Sequence, residues 1–153
     1  MSTPHAASRQ IEIKADVPDA YRALATFTRS APDIDHALAE VVKVRVSQLN
    51  GCAFCVDLHS GLARKAGVAE RTLYAVAVWE EASFFTGHER AALRLAEALT
   101  LLPAGPVPVE AYEQAAEYFP GTALAQLVVV ITAINAWNRV MLAGGVQPLP
   151  LEN

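Results

Sequence analysis

Residues 124–143 form a twenty-residue stretch in which Arg139 is the single charge, and a chain carrying such a stretch has to bury it in protein or in lipid. Polar groups recur along it at Gln126, Thr132, Asn135, Asn138 and Arg139. In hydrocarbon each would be expensive, whereas neighbouring helices of a protein interior can meet them with hydrogen bonds. The segment therefore reads as a buried helix in a subunit core and not as a membrane span.

The rest of the chain agrees with an all-α fold. It is rich in Ala, Leu, Glu and Arg, apolar positions recur at intervals of three and four, and glycine or proline stands at the breaks. The pattern predicts a first helix from Pro18 to about Ser30, with Tyr21, Leu24 and Phe27 on one face. Pro32 is expected to open a second, which stops at Asn50-Gly51, a pair suited to a helix C-terminus. A third begins around Cys52 and ends near Ala66-Gly67, and a short one is expected over residues 69–80. Thr86-Gly87-His88-Glu89 is a capping box that opens a helix to about Leu101. Residues 103–108, with three prolines, make a connector, residues 109–118 a further helix, and the long apolar helix follows the break at Pro120-Gly121.

A length of 153 residues suits one domain, 1–153 with a core at about 15–145, able to bury about two thirds of the surface of its unfolded form. Hydrophobic residues make up 53% and charged residues 18%, which is more apolar surface than a monomer of this size readily hides, so a homo-oligomer is expected. A net charge of −4 offers no basic footprint for nucleic acid. Residues 1–10 lack the apolar core of a secretory signal, and the cytoplasm is the expected compartment.

Both cysteines of the chain lie in Asn50-Gly51-Cys52-Ala53-Phe54-Cys55-Val56-Asp57-Leu58-His59. Thiols at C-x-x-C spacing can close a small disulfide ring, and a histidine one turn further on can take or return the proton that thiol chemistry needs. In a reducing compartment such a pair is catalytic or metal-binding sooner than a structural staple. On a helix starting near Cys52, the side chains of Cys52, Cys55 and His59 share a face. If the preceding helix packs antiparallel, Glu40, ten residues before Asn50, lies about 14 Å from the turn, as does His59, nine after it, at about 1.5 Å per residue. Glu40 can then face His59, orient its imidazole and raise its basicity. Cys52 at a helix N-terminus would gain thiolate character from the free amides there.

Other readings were open to the same residues. Cys52, Cys55, His59 and Glu40 could ligate zinc, but a second C-x-x-C or an H-x-H is missing. Covalent haem attachment needs histidine directly after the second cysteine, where Val56 stands. A non-enzymatic redox sensor would use the same disulfide. His5, His36 and His88 are expected at the surface, and Trp79, Phe84, Phe85 and Trp137 in the core or an interface, with the possibility of walling a substrate channel. Phe54 could shield the site. No glycine-rich nucleotide or flavin motif is present, so no cofactor is expected and reducing equivalents should arrive through a thiol partner.

Glu40, eleven residues, Cys52-x-x-Cys55, three residues, His59: this pattern resembles the alkylhydroperoxidase D-like group of the carboxymuconolactone decarboxylase superfamily. The stretches Trp79-Glu80-Glu81 and Phe85-Thr86-Gly87-His88-Glu89-Arg90-Ala91-Ala92-Leu93 are similar to that group as well, and the likeness covers about residues 15–145. It implies a helical domain assembled as a trimer or hexamer and thiol-dependent reduction of hydroperoxides. It also implies Glu40 and His59 as a proton relay, Cys55 as the sulfur that peroxide attacks, Cys52 as its resolving partner, and an external thiol or dithiol reductant. The peroxidase prototypes carry a histidine between the cysteines where this chain has Phe54. The decarboxylase branch generally lacks the cysteine pair, which sets it behind the peroxidase reading as an alternative.

Overall fold

A computed structural model describes residues 11–151. Among them the elements are α1 (Ile13–Asp16), α2 (Pro18–Thr28), α3 (His36–Asn50), α4 (Ala53–Lys65) and α5 (Glu70–Ala75) with a 3-10 turn at Val76–Val78. Then follow α6 (Gly87–Thr100), a 3-10 turn at Leu102–Ala104, α7 (Val109–Tyr118) and α8 (Ala123–Ala143), with no strand among the described residues. The all-α expectation holds. His5 and residues 1–10 lie outside the described residues.

Helix α3 is the axis of the fold, packed by α4, α6 and α8. Its run Val42-Lys43-Val44-Arg45-Val46 alternates apolar and charged with the period of a strand, yet it is helical because both of its sides are buried. Leu38, Val42 and Val46 pack into one cluster with Leu95 of α6 and Leu127, Ile131 and Ile134 of α8. Val41 and Val44 pack into another with Ala63, Leu73, Trp79 and Leu93. The two cations between the valines have partners: Lys43 donates to Glu40, and Arg45 Nε donates to Glu97 at 2.6 Å.

Helix α8 is the long apolar segment, and its polar groups are met inside the protein. Asn50 Nδ2 donates to Asn135 Oδ1 and to Asn138 Oδ1, both at 2.9 Å, Asn138 Nδ2 donates to Ser47 Oγ at 2.9 Å, and Asn135 Nδ2 donates to Thr100 Oγ1 at 3.0 Å. This network fastens the C-terminus of α3 to α8 and α6. By length and composition alone α8 could cross a membrane, and 33% of its most apolar 18-residue window is buried.

Three helix limits differ from the sequence expectation. Helix α3 starts at His36, not at Pro32, because Asp35 caps it by accepting from Leu38 N at 2.9 Å. The Pro32-Asp33 turn is held from afar, Gln126 Oε1 accepting from Asp33 N while Gln126 Nε2 donates to Asp33 Oδ2. The first helix ends at Thr28, before Ser30. The helix expected over 69–80 breaks into α5 and the 3-10 turn, since Arg90 of α6 gathers the carbonyls of Trp79, Glu80 and Ala82 and draws the chain out of helical register. Helix α7 and the capping box of α6 stand as predicted.

Candidate active site

The turn that brings the site together is Gly51. It sits at φ 69°, a left-handed conformation open to glycine at little cost, and closes α3 with Gly51 N donating to Gln48 O and Cys52 N to Ser47 O. One residue later Cys52 caps α4, its Sγ 3.4 Å from Cys55 N. The chain thus reverses within two residues, and α3 and α4 lie along one another. Cys52 and Cys55 are joined by a disulfide with Cα atoms 5.3 Å apart, and both are buried.

Equal distance from this turn brings Glu40 of α3 against His59 of α4. Glu40 Oε2 lies 2.7 Å from His59 Nδ1, and Oε1 accepts from Lys43 Nζ at 2.7 Å. The Glu40 side chain is only 1% exposed. Burial by itself would push its carboxyl up, but hydrogen bonds from His59 and Lys43, together with their charges, outweigh that and hold it below its ordinary 4.5. An ionised carboxylate only accepts, so Nδ1 carries a proton toward Glu40, and whenever the ring is neutral Nε2 is its basic nitrogen. His36 stands outside the pair, exposed and 3.9 Å from Glu40 Oε1.

Cys55 and His59 both line a cavity of about 420 Å³. Its walls are mostly apolar, with Phe54 and Leu58 of α4, Val130, Ile134 and Trp137 of α8 and Tyr21 of α2, while Glu12, Lys14, Thr28 and Lys43 also border it. Trp137 is fixed by Nε1 donating to Thr28 Oγ1 at 2.7 Å and by edge contact with Tyr21, ring centroids 4.9 Å apart. Cys52 does not reach this cavity. It lines a separate, wider-mouthed hollow of about 590 Å³ on the other side of α4. As expected from the sequence, Cys52 and Cys55 meet, joined in the disulfide, and Cys55 and His59 share the cavity lining, whereas Cys52, at the cap position, borders the second hollow and not the cavity.

The other expected residues divide by burial. Trp79 and Phe85 are core, Trp79 donating to Glu97 Oε1 at 2.8 Å with the Arg90 and Arg94 guanidinium groups each 5.4 Å from its ring centroid. Phe84 stacks on Phe85 at the surface. His88 is half-buried, stacked on Phe119 at 4.5 Å between centroids, so its expected surface position is only partly met. Lys43 was missed by sequence reading; its signal is the i,i+3 spacing from Glu40 on α3. Among the described residues no group of three or more His, Cys, Asp or Glu side chains is placed to hold a metal ion.

Residues 15–98 match the model of the carboxymuconolactone decarboxylase family. The uncharacterized protein YdfG of Bacillus subtilis is 43% identical over 112 residues, 73% of this chain and 76% of that protein. The uncharacterized protein YnjA of Escherichia coli is 33% identical over 113 residues, 72% of this chain and 60% of that protein. A solved structure of ATU0492 from Agrobacterium tumefaciens, a protein of unknown function provisionally described as the antioxidant defence protein AhpD, superposes with a TM-score of 0.88 at 31% identity. It covers 95% of this chain and 100% of its own.

Proposed function

Since the chain belongs to the carboxymuconolactone decarboxylase family and is alkylhydroperoxidase D-like within it, we propose that it is a thiol peroxidase acting on organic hydroperoxides. The observation that carries this reading is that Cys55 and the Glu40-backed His59 open together into an apolar cavity. An apolar lining favours an alkyl or aryl hydroperoxide over hydrogen peroxide, which gains nothing from it.

In the reduced protein His59 Nε2 takes the Cys55 thiol proton, and the thiolate attacks the outer peroxide oxygen. The O–O bond breaks, the alkoxide takes the proton from His59 and leaves as the alcohol, and Cys55 becomes a sulfenic acid. Cys52 then attacks the Cys55 sulfur, water leaves, and the disulfide forms. Two thiols have been oxidised and one hydroperoxide reduced. Glu40 holds the imidazole in the right tautomer and supports its charge while it carries the proton. An external thiol reductant restores the pair, which suits a reducing compartment such as the cytoplasm. The working form in this reading is a homo-oligomer.

Fully reduced protein given one equivalent of cumene hydroperoxide should lose both thiols and consume the peroxide in step, with intact mass and peptide mapping linking Cys52 to Cys55. Cys55→Ser should abolish peroxide consumption. Cys52→Ser should allow a single turnover that stops at the Cys55 sulfenic acid, trappable with a 1,3-dione. Persistent thiols beside unconsumed peroxide in the parent protein would overturn the reading.

A further inference from the structure

We propose that the cavity is a channel for a straight alkyl chain, and that the substrate class is long-chain alkyl hydroperoxides with the peroxide near one end. The inference rests on the peroxidase reading and adds to it which hydroperoxides the site selects.

Helix α8 gives the channel its length. Val130, Ala133, Trp137, Val140 and Gly144 all line the cavity, at intervals of three and four residues in alternation, so they form one stripe along a single face of the helix. From Val130 to Gly144 the stripe runs about 21 Å at about 1.5 Å per residue. The reacting groups stand toward one end of it. Asp33, just before α3, meets Gln126, and Asn50, at the end of α3, meets Asn135 and Asn138, so α3 and α8 run in the same direction. Helix α4 doubles back from the turn at Gly51, which sets Cys55 near the level of Ile134 and His59 nearer to Val130. At the other end the carbonyl oxygen of Ile11 lies 3.7 Å from the place a Cβ on Gly144 would take, and Glu12, Ile13 and Lys14 border the cavity there.

The arm beyond the sulfur favours methylenes. From Ile134 to Gly144 it extends about 15 Å, the reach of about twelve carbons at an advance of about 1.3 Å per C–C bond of an extended chain. Tyr21, Trp137, Val140, Met141 and Val146 line it. Trp137 is a fixed wall, since its Nε1 donates to Thr28 Oγ1 and its ring meets the edge of Tyr21. The Thr28 hydroxyl accepts from Trp137 and gives its proton to Leu24 O at 2.8 Å, so it has none to offer a ligand. The charged residues of the lining stand at its two ends: Lys43, paired with Glu40 beside His59, and Glu12 with Lys14, of opposite sign, at the far mouth. A compact hydroperoxide leaves the arm unfilled, whereas every methylene laid along it is withdrawn from water.

The test follows oxidation of the pre-reduced full chain by 1-hydroperoxybutane, 1-hydroperoxyhexane, 1-hydroperoxyoctane and 1-hydroperoxydecane, each below its aggregation limit, and reads the second-order rate constant of thiol loss. The rate should rise about twofold to fourfold per added methylene. Val140→Phe on α8 and Ile13→Phe on the facing wall each fill the arm. Each should cut the decyl-to-butyl ratio of rates about tenfold, the equivalent of three or four methylenes at about twofold apiece. Ile13 lies in a helix with no buried residue, so the second variant judges the channel if the first does not fold. A flat series in the parent protein, or a ratio unmoved in a folded variant, would overturn the channel. If no hydroperoxide oxidises the parent, the peroxidase reading falls, and calorimetric titration with 1-octanol against 1-butanol still judges the channel. Tighter binding of octanol that Val140→Phe or Ile13→Phe weakens upholds it, and equal affinities for the two alcohols overturn it.

Discussion

Glu40 is where charge, burial and sequence spacing meet. Its carboxyl titrates lower in the folded protein than in the unfolded chain, so between the two values the unfolded chain binds the extra proton and stability rises with pH. The contribution is complete above the ordinary 4.5 and is lost as pH falls through the depressed folded value. Urea unfolding followed from neutral pH down through this window should therefore show an acid loss of stability that Glu40→Gln reduces. The same variant should lower peroxidase turnover by about 100-fold or more, since the imidazole loses its anionic partner. Lys43→Met removes one of the two donors that keep Glu40 ionised, so the acid limb of the activity profile should move to higher pH while Cys55 reactivity at neutral pH survives. An unmoved limb would show that Lys43 only fills space. Glu40 facing His59 was readable from the sequence because antiparallel helices joined by a tight turn match residues at equal distance. Lys43 was not, because its choice between solvent and Glu40 is made by how deeply α3 is buried.

Helices α3 and α4 depend on the two residues that reverse the chain between them. Gly51→Ala puts a Cβ at φ 69°, where an L side chain is strained, and should cost about 1 kcal/mol in urea unfolding. Asn138→Leu strips Ser47 and Asn50 of a buried partner and should cost about 1–3 kcal/mol, more than Gly51→Ala even though it lies far along the chain from the turn. If Asn138→Leu proves neutral, the network does not hold α8 to the turn. The Asn50-Gly51 stop, the capping box and α7 could be read locally because each is decided by residues within one turn of itself. The start of α3 and the break after α5 could not. Gln126 holds the Pro32-Asp33 turn from 93 positions away, and Arg90 pulls on carbonyls eight to eleven residues before it. Nor could the cavity be read, since its walls come from α2, α4 and α8, which only packing brings together.

The molecule as a whole leaves apolar surface in view. Tyr74, Val78 and Val109 are exposed, as is Leu142 near the end of α8. A single subunit with that surface should self-associate, and light scattering coupled to size exclusion should return a mass several times that of the 16.4 kDa chain. A monomer at micromolar concentration would refute this. The helix that stands between Cys55's cavity and Cys52's hollow bears on steady-state kinetics. When two substrates alternate in one pocket, an excess of either blocks the other, and double-reciprocal lines bend upward at saturation. Here the linings have no residue in common, so parallel ping-pong lines that stay straight at any ratio of thiol to hydroperoxide would show that the thiol enters from the Cys52 side, and upward-bending lines that both substrates share the cavity.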